Sequence, residues 1–115
     1  MILSMVNIVP AFGMRQEIVD ILLSVKGPTL ALPTCSACSI YEEQDDDKTI
    51  AYMELWQSEE EMDRHIRSSL YNRVLEAMEL STKTPEIRFF RISETHGIEL
   101  IEKARGMSTL AETVG

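Results

Sequence analysis

Positive charge is scarce in this sequence: 11 Lys and Arg stand against 19 Asp and Glu among 115 residues, leaving a formal charge of −8. A polyanionic partner, whether nucleic acid or an anionic membrane surface, is repelled over most approaches, so neither is expected. Long apolar runs are missing too. No segment approaches the roughly eighteen apolar residues of a membrane span. The opening residues carry no basic n-region, and Ser4 and Asn7 interrupt their apolar run, so a secretory signal is not expected either. Cysteine is sparse, with Cys35 and Cys38 alone, and without a secretory signal that usage points to a reducing, cytoplasmic setting. There is no Gly-rich phosphate loop, and two histidines far apart in sequence make a poor metal set; neither a cofactor nor a metal is expected.

What is present changes period at recognisable punctuation. Ile2 to Val9 reads as a strand closed by Pro10. From Phe12 the pattern turns helical, with Met14, Ile18, Ile21, Leu22 and Val25 on one stripe. Lys26, Gly27 and Pro28 supply the basic last turn, glycine and proline that end a helix. Thr34 to Glu43 is a second strand, and the acidic stretch Gln44 to Lys48 turns the chain into a third, Ile50 to Gln57. Ser58 caps a long helix reaching about Leu80, with Glu61 completing the capping box. Met62, Ile66, Leu70, Val74 and Ala77 lie along one of its faces, and Arg73 falls inside that stripe. Pro85 opens a last strand, Glu86 to Ser93, and a short helix from Gly97 to Arg105 precedes a polar end. The chain thus reads as one domain over residues 1–95 followed by a tail over 96–115.

The order βαββαβ has a consequence for architecture. Right-handed crossovers put both helices on one face of a four-stranded antiparallel sheet, a ferredoxin-like α+β fold. Yet the first strand is apolar on both sides, with Ile2, Val6 and Ile8 pointing one way and Leu3, Met5 and Val9 the other. Two helices cover only one face. A second copy of the chain is the simplest cover for the other, since a bare apolar sheet exceeds what a soluble monomer tolerates. The expectation is a homodimer whose sheets close face to face and enclose a partly apolar pocket.

Several side chains stand out as candidates for chemistry. Tyr52, Glu54 and Trp56 share one strand face at the period of two, and His65, on the second turn of the following helix, returns near the end of that strand. It lies about 60° from Met62 on the helical wheel, at the margin of the buried stripe. Asn7 is a polar side chain in an apolar strand, which costs stability unless it is paired or lines a cavity. Cys35 and Cys38 point to opposite faces if their strand is straight, which disfavours a mutual disulfide or joint metal binding and makes them core fillers. The acidic run Glu42 to Asp47 lacks the glycine and spacing of a calcium loop and reads as a solvated turn.

The block Glu54-Leu-Trp56-Gln-Ser58 with His65 nine positions after the Trp, the Cys35-Ser-Ala-Cys38 strand before it and Asn7 on the first strand together resemble the antibiotic biosynthesis monooxygenase family. That family comprises dimeric α/β barrels, and the likeness is greatest to its quinol-monooxygenase-like members, over residues 2 to 94. The resemblance implies oxygenation of a small electron-rich aromatic by molecular oxygen without metal, flavin or haem. Under it His65 accepts the phenolic proton, Asn7 bonds the developing oxyanion or oxygen adduct, Trp56 and Tyr52 wall the ring, and Glu54 orients a polar neighbour. Related barrels degrade haem through an axial histidine whose position falls near Leu75 here, so haem is the weaker implication. A non-catalytic dimer that binds a lipophilic metabolite is the alternative.

Overall fold

The computed structural model describes residues 1–44 and 47–106. Four strands, β1 (Ile2–Ile8), β2 (Cys35–Glu42), β3 (Ile50–Trp56) and β4 (Glu86–Arg91), form one antiparallel sheet in the order β2-β3-β1-β4. Helix α1 (Arg15–Leu30) joins β1 to β2, while α2 (Glu59–Ile66) and α3 (Tyr71–Glu79) join β3 to β4. This is the ferredoxin-like arrangement that the element order predicts. An additional helix, α4 (Ile98–Arg105), follows β4. No helix among the described residues is long and apolar enough to cross a membrane, and the polar end beyond Gly106 lies outside them.

The core lies between sheet and helices. Ile2, Val6 and Ile8 of β1 and Ile50, Tyr52 and Trp56 of β3 turn inward onto Ile18, Leu22 and Val25 of α1, Met62 of α2 and Val74 and Ala77 of α3. Each side chain alternates with one on the other face, where Leu3, Met5, Asn7, Ala51, Met53 and Leu55 are only half buried. Among the described residues, no helix is packed over that face. Val9, expected there, lies beyond the end of β1.

Two helix boundaries differ from those the sequence predicts. Helix α1 runs through Gly27 and Pro28 to Leu30. Pro28 brings no N–H for the Ser24 carbonyl, but the buried Thr29 hydroxyl donates to the Val25 carbonyl at 2.7 Å, and the Ala31 N–H reaches Gly27 O at 3.2 Å. The segment expected to run unbroken from Ser58 to Leu80 is instead two helices. Ser68 divides them: its hydroxyl donates to the His65 carbonyl at 2.6 Å and accepts the Tyr71 N–H at 3.4 Å, ending α2 and starting α3. The break shifts the phase of the apolar stripe, so that Arg73 is exposed and donates to Ser24 Oγ at 3.2 Å.

Strand β2 is not straight. Cys35 pairs with Trp56 and Ala37 with Leu55, leaving Ser36 as the extra residue of a bulge. One added residue flips the alternation, so Cys35 and Cys38 share the helix-facing side rather than opposite faces. Both are free thiols, Cys38 buried and Cys35 half buried.

Candidate functional site

The site begins with the pleat of β3, which turns Tyr52, Glu54 and Trp56 toward the helices, each buried. Across the β1–β3 pair Glu54 faces Ser4, a small buried residue. The chain then leaves the sheet at once: Ser58 Oγ accepts the Glu61 N–H at 3.2 Å and starts α2. A turn this short brings His65, in the last turn of α2, back over the end of β3.

Glu54 is the hub of what results. Its Oε2 accepts the Tyr52 hydroxyl proton at 2.5 Å, and its Oε1 accepts the Trp56 Nε1–H at 3.0 Å. His65 Nε2 lies 2.9 Å from Oε2. Cys38 extends the chain by donating its thiol hydrogen to the Tyr52 oxygen at 3.3 Å. Around the imidazole, the Trp56 ring stands 5.2 Å away at 38°, and the Tyr71 ring meets it edge-on at 5.4 Å. A buried carboxylate is costly without donors; here Tyr52 and Trp56 supply two, and a His65 ring nitrogen lies within hydrogen-bond distance.

Burial governs the acidities of the surrounding groups. It lifts the Tyr52 phenol far above its ordinary range, the Glu54 carboxylate adding to the effect, so Tyr52 keeps its proton. Burial likewise pushes the Tyr71 phenol up to about 12, again with Glu54 adding. The Cys38 thiol rises to about 11, chiefly through burial, and Cys35 is raised by burial and then by Glu54. None of these groups is ready to ionise near neutrality.

One member of the network, though its side chain is only 1% exposed, borders a cleft. His65 lines a cleft of about 390 Å³ between the end of α1 and the α2–α3 break, with Pro28, Leu32, Ser68 and Leu70 as further walls and the Glu61–Arg64 ion pair at its side. Tyr52, Glu54 and Trp56 do not line it. They stand behind the imidazole, touching a ligand of this cleft only through His65. Trp56 and Tyr52, expected as pocket walls, are fully buried and do not wall this cleft, which lies on the helical side of the sheet.

Asn7 is not part of this assembly. It pairs with Ala51 on the uncovered face and borders a polar pocket of about 260 Å³ with Thr49, Lys83 and Glu86. The structure also brings in residues that the sequence did not single out: Tyr71, Ser68 and, as a hydrogen-bond donor, Cys38. The Ser68-Ser69 pair was a readable signal for the break that positions Tyr71; the bulge that turns Cys38 inward left none. Among the described residues, no group of three or more His, Cys, Asp or Glu side chains is placed to hold a metal ion.

Comparison with known proteins places this geometry. An uncharacterized protein of Synechocystis sp. is 24% identical over 82 residues, covering 70% of this chain and 56% of its own length, so the chain spans about half of that relative. The solved structure of Rv0793 from Mycobacterium tuberculosis superposes with a TM-score of 0.75 at 21% identity, over 84% of this chain and 98% of that one. A solved antibiotic biosynthesis monooxygenase superposes with a TM-score of 0.72 at 13% identity, over 82% of this chain and all of the other (100%). At these identities the superpositions speak for the fold. The sequence profile of one family spans residues 1–79, β1 through α3 with the entire Glu54–His65 network: the chain belongs to the antibiotic biosynthesis monooxygenase family.

Proposed function

We propose that this protein is a cofactor-independent monooxygenase that oxidises a small electron-rich aromatic, a quinol, phenol or anthrone, with molecular oxygen. The observation that carries the reading is His65, held by a buried carboxylate at the wall of an apolar cleft. A phenol bound there passes its proton to the imidazole, and the resulting anion is a strong enough reductant to react with oxygen itself. The electrons balance without a further reductant: a hydroquinone and one O2 give a hydroxyquinone and one water. Trp56, Tyr52 and Glu54 serve by fixing His65, and Asn7, on the other face, has no part at this cleft. The reducing cytoplasm, where Cys35 and Cys38 stay thiols, is the setting we propose.

The working unit in this reading is a homodimer. Its support is the uncovered apolar face of the sheet together with β4, every residue of which is exposed in the single chain. Phe90, which pairs with Leu3 and so points to that face, is 41% exposed, uncommon for a large apolar side chain beside Leu3 and Leu55.

Oxygen consumption by the purified protein tests the proposal, with hydroquinones and anthrones under air and a metal chelator present. A rate above the buffer blank, lost in His65→Ala, is the expected result. Turnover of the whole panel at the blank rate overturns it. The apolar walls Pro28, Leu32 and Leu70 favour a second reading, a non-catalytic binder of a lipophilic molecule. That reading predicts a raised melting temperature with ligand and no oxygen uptake.

A further inference from the structure

Tyr52 and Trp56 bind Glu54 in a way that cannot be reversed, and this constrains His65. An indole Nε1 only donates, so Glu54 Oε1 accepts at 3.0 Å. Tyr52 has one hydrogen, its oxygen already receives the Cys38 thiol at 3.3 Å, and that hydrogen is directed to Glu54 Oε2 at 2.5 Å. Both carboxylate oxygens are thus committed as acceptors. The contact that remains, His65 Nε2 at 2.9 Å from Oε2, completes the set with the imidazole donating.

A proton fixed on Nε2 leaves Nδ1 as a lone-pair nitrogen whenever the ring is neutral. Nδ1 has no hydrogen-bond partner among the described residues. The His65 side chain is 1% exposed, and the cleft is what it borders on the side away from Glu54. Nδ1 is therefore the ring nitrogen available to the cleft that His65 lines. Of the other polar groups there, Ser68 gives its hydroxyl hydrogen to the His65 carbonyl at 2.6 Å, and Arg64, 70% exposed at the rim, pairs through one guanidinium nitrogen with Glu61 at 2.8 Å. Pro28, Leu32 and Leu70 offer only apolar surface.

We propose that Glu54 locks His65 as the Nε2–H tautomer, and that the cleft accordingly selects an uncharged molecule with a hydrogen-bond donor, a phenolic or enolic hydroxyl on an apolar body. The inference rests on the reading of this cleft as the functional site and names what it admits. A carboxylate, having no hydrogen to give, sets its oxygens against the Nδ1 lone pair. An aryl ether of the same shape also lacks the donor. Tyr52 and Glu54 are positioning residues in this scheme, acting through the imidazole.

Nitrogen-15 NMR of the full chain labelled at histidine tests both parts, with His96→Gln assigning the second ring. In the free protein at neutral to mildly alkaline pH, His65 Nε2 is expected to give the shift of a protonated ring nitrogen and Nδ1 that of a bare one. Glu54→Gln is expected to bring both toward the tautomer average, and Tyr52→Phe to do so in part. Hydroquinone should move the Nδ1 resonance upfield in a saturable way, with 1,4-dimethoxybenzene and benzoate leaving it in place. A bare Nε2 in the wild-type protein, equal responses to hydroquinone and its dimethyl ether, or no response to hydroquinone at millimolar concentration overturns the proposal. Oxygen uptake is scored separately: its failure with the NMR results intact removes the oxygenase reading and leaves the donor-selective site standing.

Discussion

Asn7 and His65 stand on opposite faces of the sheet. Asn7 alternates with the inward Val6 and Ile8 of β1, whereas His65 reaches Glu54 on the inward side of β3. A substrate held in the cleft at His65 is separated from Asn7 by the thickness of the sheet. Asn7→Ala is therefore expected to change the oxygen-uptake rate by less than about twofold, the effect of a half-buried polar residue trimmed away from the chemistry. His65→Ala is expected to lower it by about a hundredfold or more, the usual scale of a lost general base. Side-by-side rates with circular dichroism of both variants decide the matter, and a large Asn7 effect with an intact fold would place the reaction on the other face.

The relationship also marks what the sequence could and could not disclose. Period-two alternation placed Tyr52, Glu54 and Trp56 together, and the Ser58–Glu61 capping pattern set the phase that returns His65 to them. Those are local rules obeyed locally. Asn7 was grouped with them by family likeness, although its own alternation with Leu3 and Met5 assigned it elsewhere. The bulge at Ser36 escaped because it left no local signal, and the helix break at Ser68 because a local signal there competes with tertiary packing. An apolar stripe continuing from Met62 through Ala77 outweighed a Ser-Ser pair on paper, while hydroxyl bonds to the backbone decided the folded chain. At Pro28 the balance ran the other way, and a strong stop signal yielded to packing of the last turn of α1 around the buried Thr29.

Glu54 anchors stability as well as geometry. Glu54→Ala leaves the Tyr52 hydroxyl, the Trp56 indole N–H and the His65 ring without their acceptor in a dry interior. Each orphaned group costs about 1–3 kcal/mol, so a loss of roughly 3–5 kcal/mol is expected, a large share of the stability of a domain this size. Glu54→Gln keeps the shape and one acceptor oxygen and is expected to lose about half as much. Urea unfolding of the three proteins gives the comparison. A Glu54→Ala loss below about 1 kcal/mol is incompatible with the network as the hub of this core.

Alkali is expected to destabilise the fold. The Cys38 thiol is raised from 9.0 to about 11 and the Tyr71 phenol from 10.0 to about 12 in the folded chain, with Cys35 and Tyr52 shifted in the same direction. In the unfolded chain these groups lose protons near their ordinary values while the folded chain retains them. Above about pH 9 the native state thus binds more protons than the unfolded state, and stability falls as pH rises. It is fully present below that pH and is progressively lost toward 11 and beyond. Urea midpoints measured from pH 8 to 11 are expected to decline, and Cys38→Ala to flatten the decline between pH 9 and 11. Midpoints constant over that interval would contradict the buried, protonated state of Cys38.

The uncovered sheet face makes the last prediction. Met53 lies at the middle of β3 between Met5 and Ser39 of its neighbours, on the side that no helix of the described residues covers. Apolar surface removed from water contributes about 25 cal/mol per Å², and two sheets packing about 10 Å apart would bury this face over most of four strands. Light scattering is expected to report twice the 13.1 kDa chain mass. Met53→Glu sets two carboxylates near the centre of that contact, where desolvation and like charge both oppose pairing. The variant should therefore scatter as a single chain at micromolar concentration while retaining its far-ultraviolet circular dichroism. A wild-type particle that already scatters as one chain would remove the second copy, and with it the cover proposed for Leu3, Met5, Met53 and Leu55. The cleft at His65 is built within one chain and would remain.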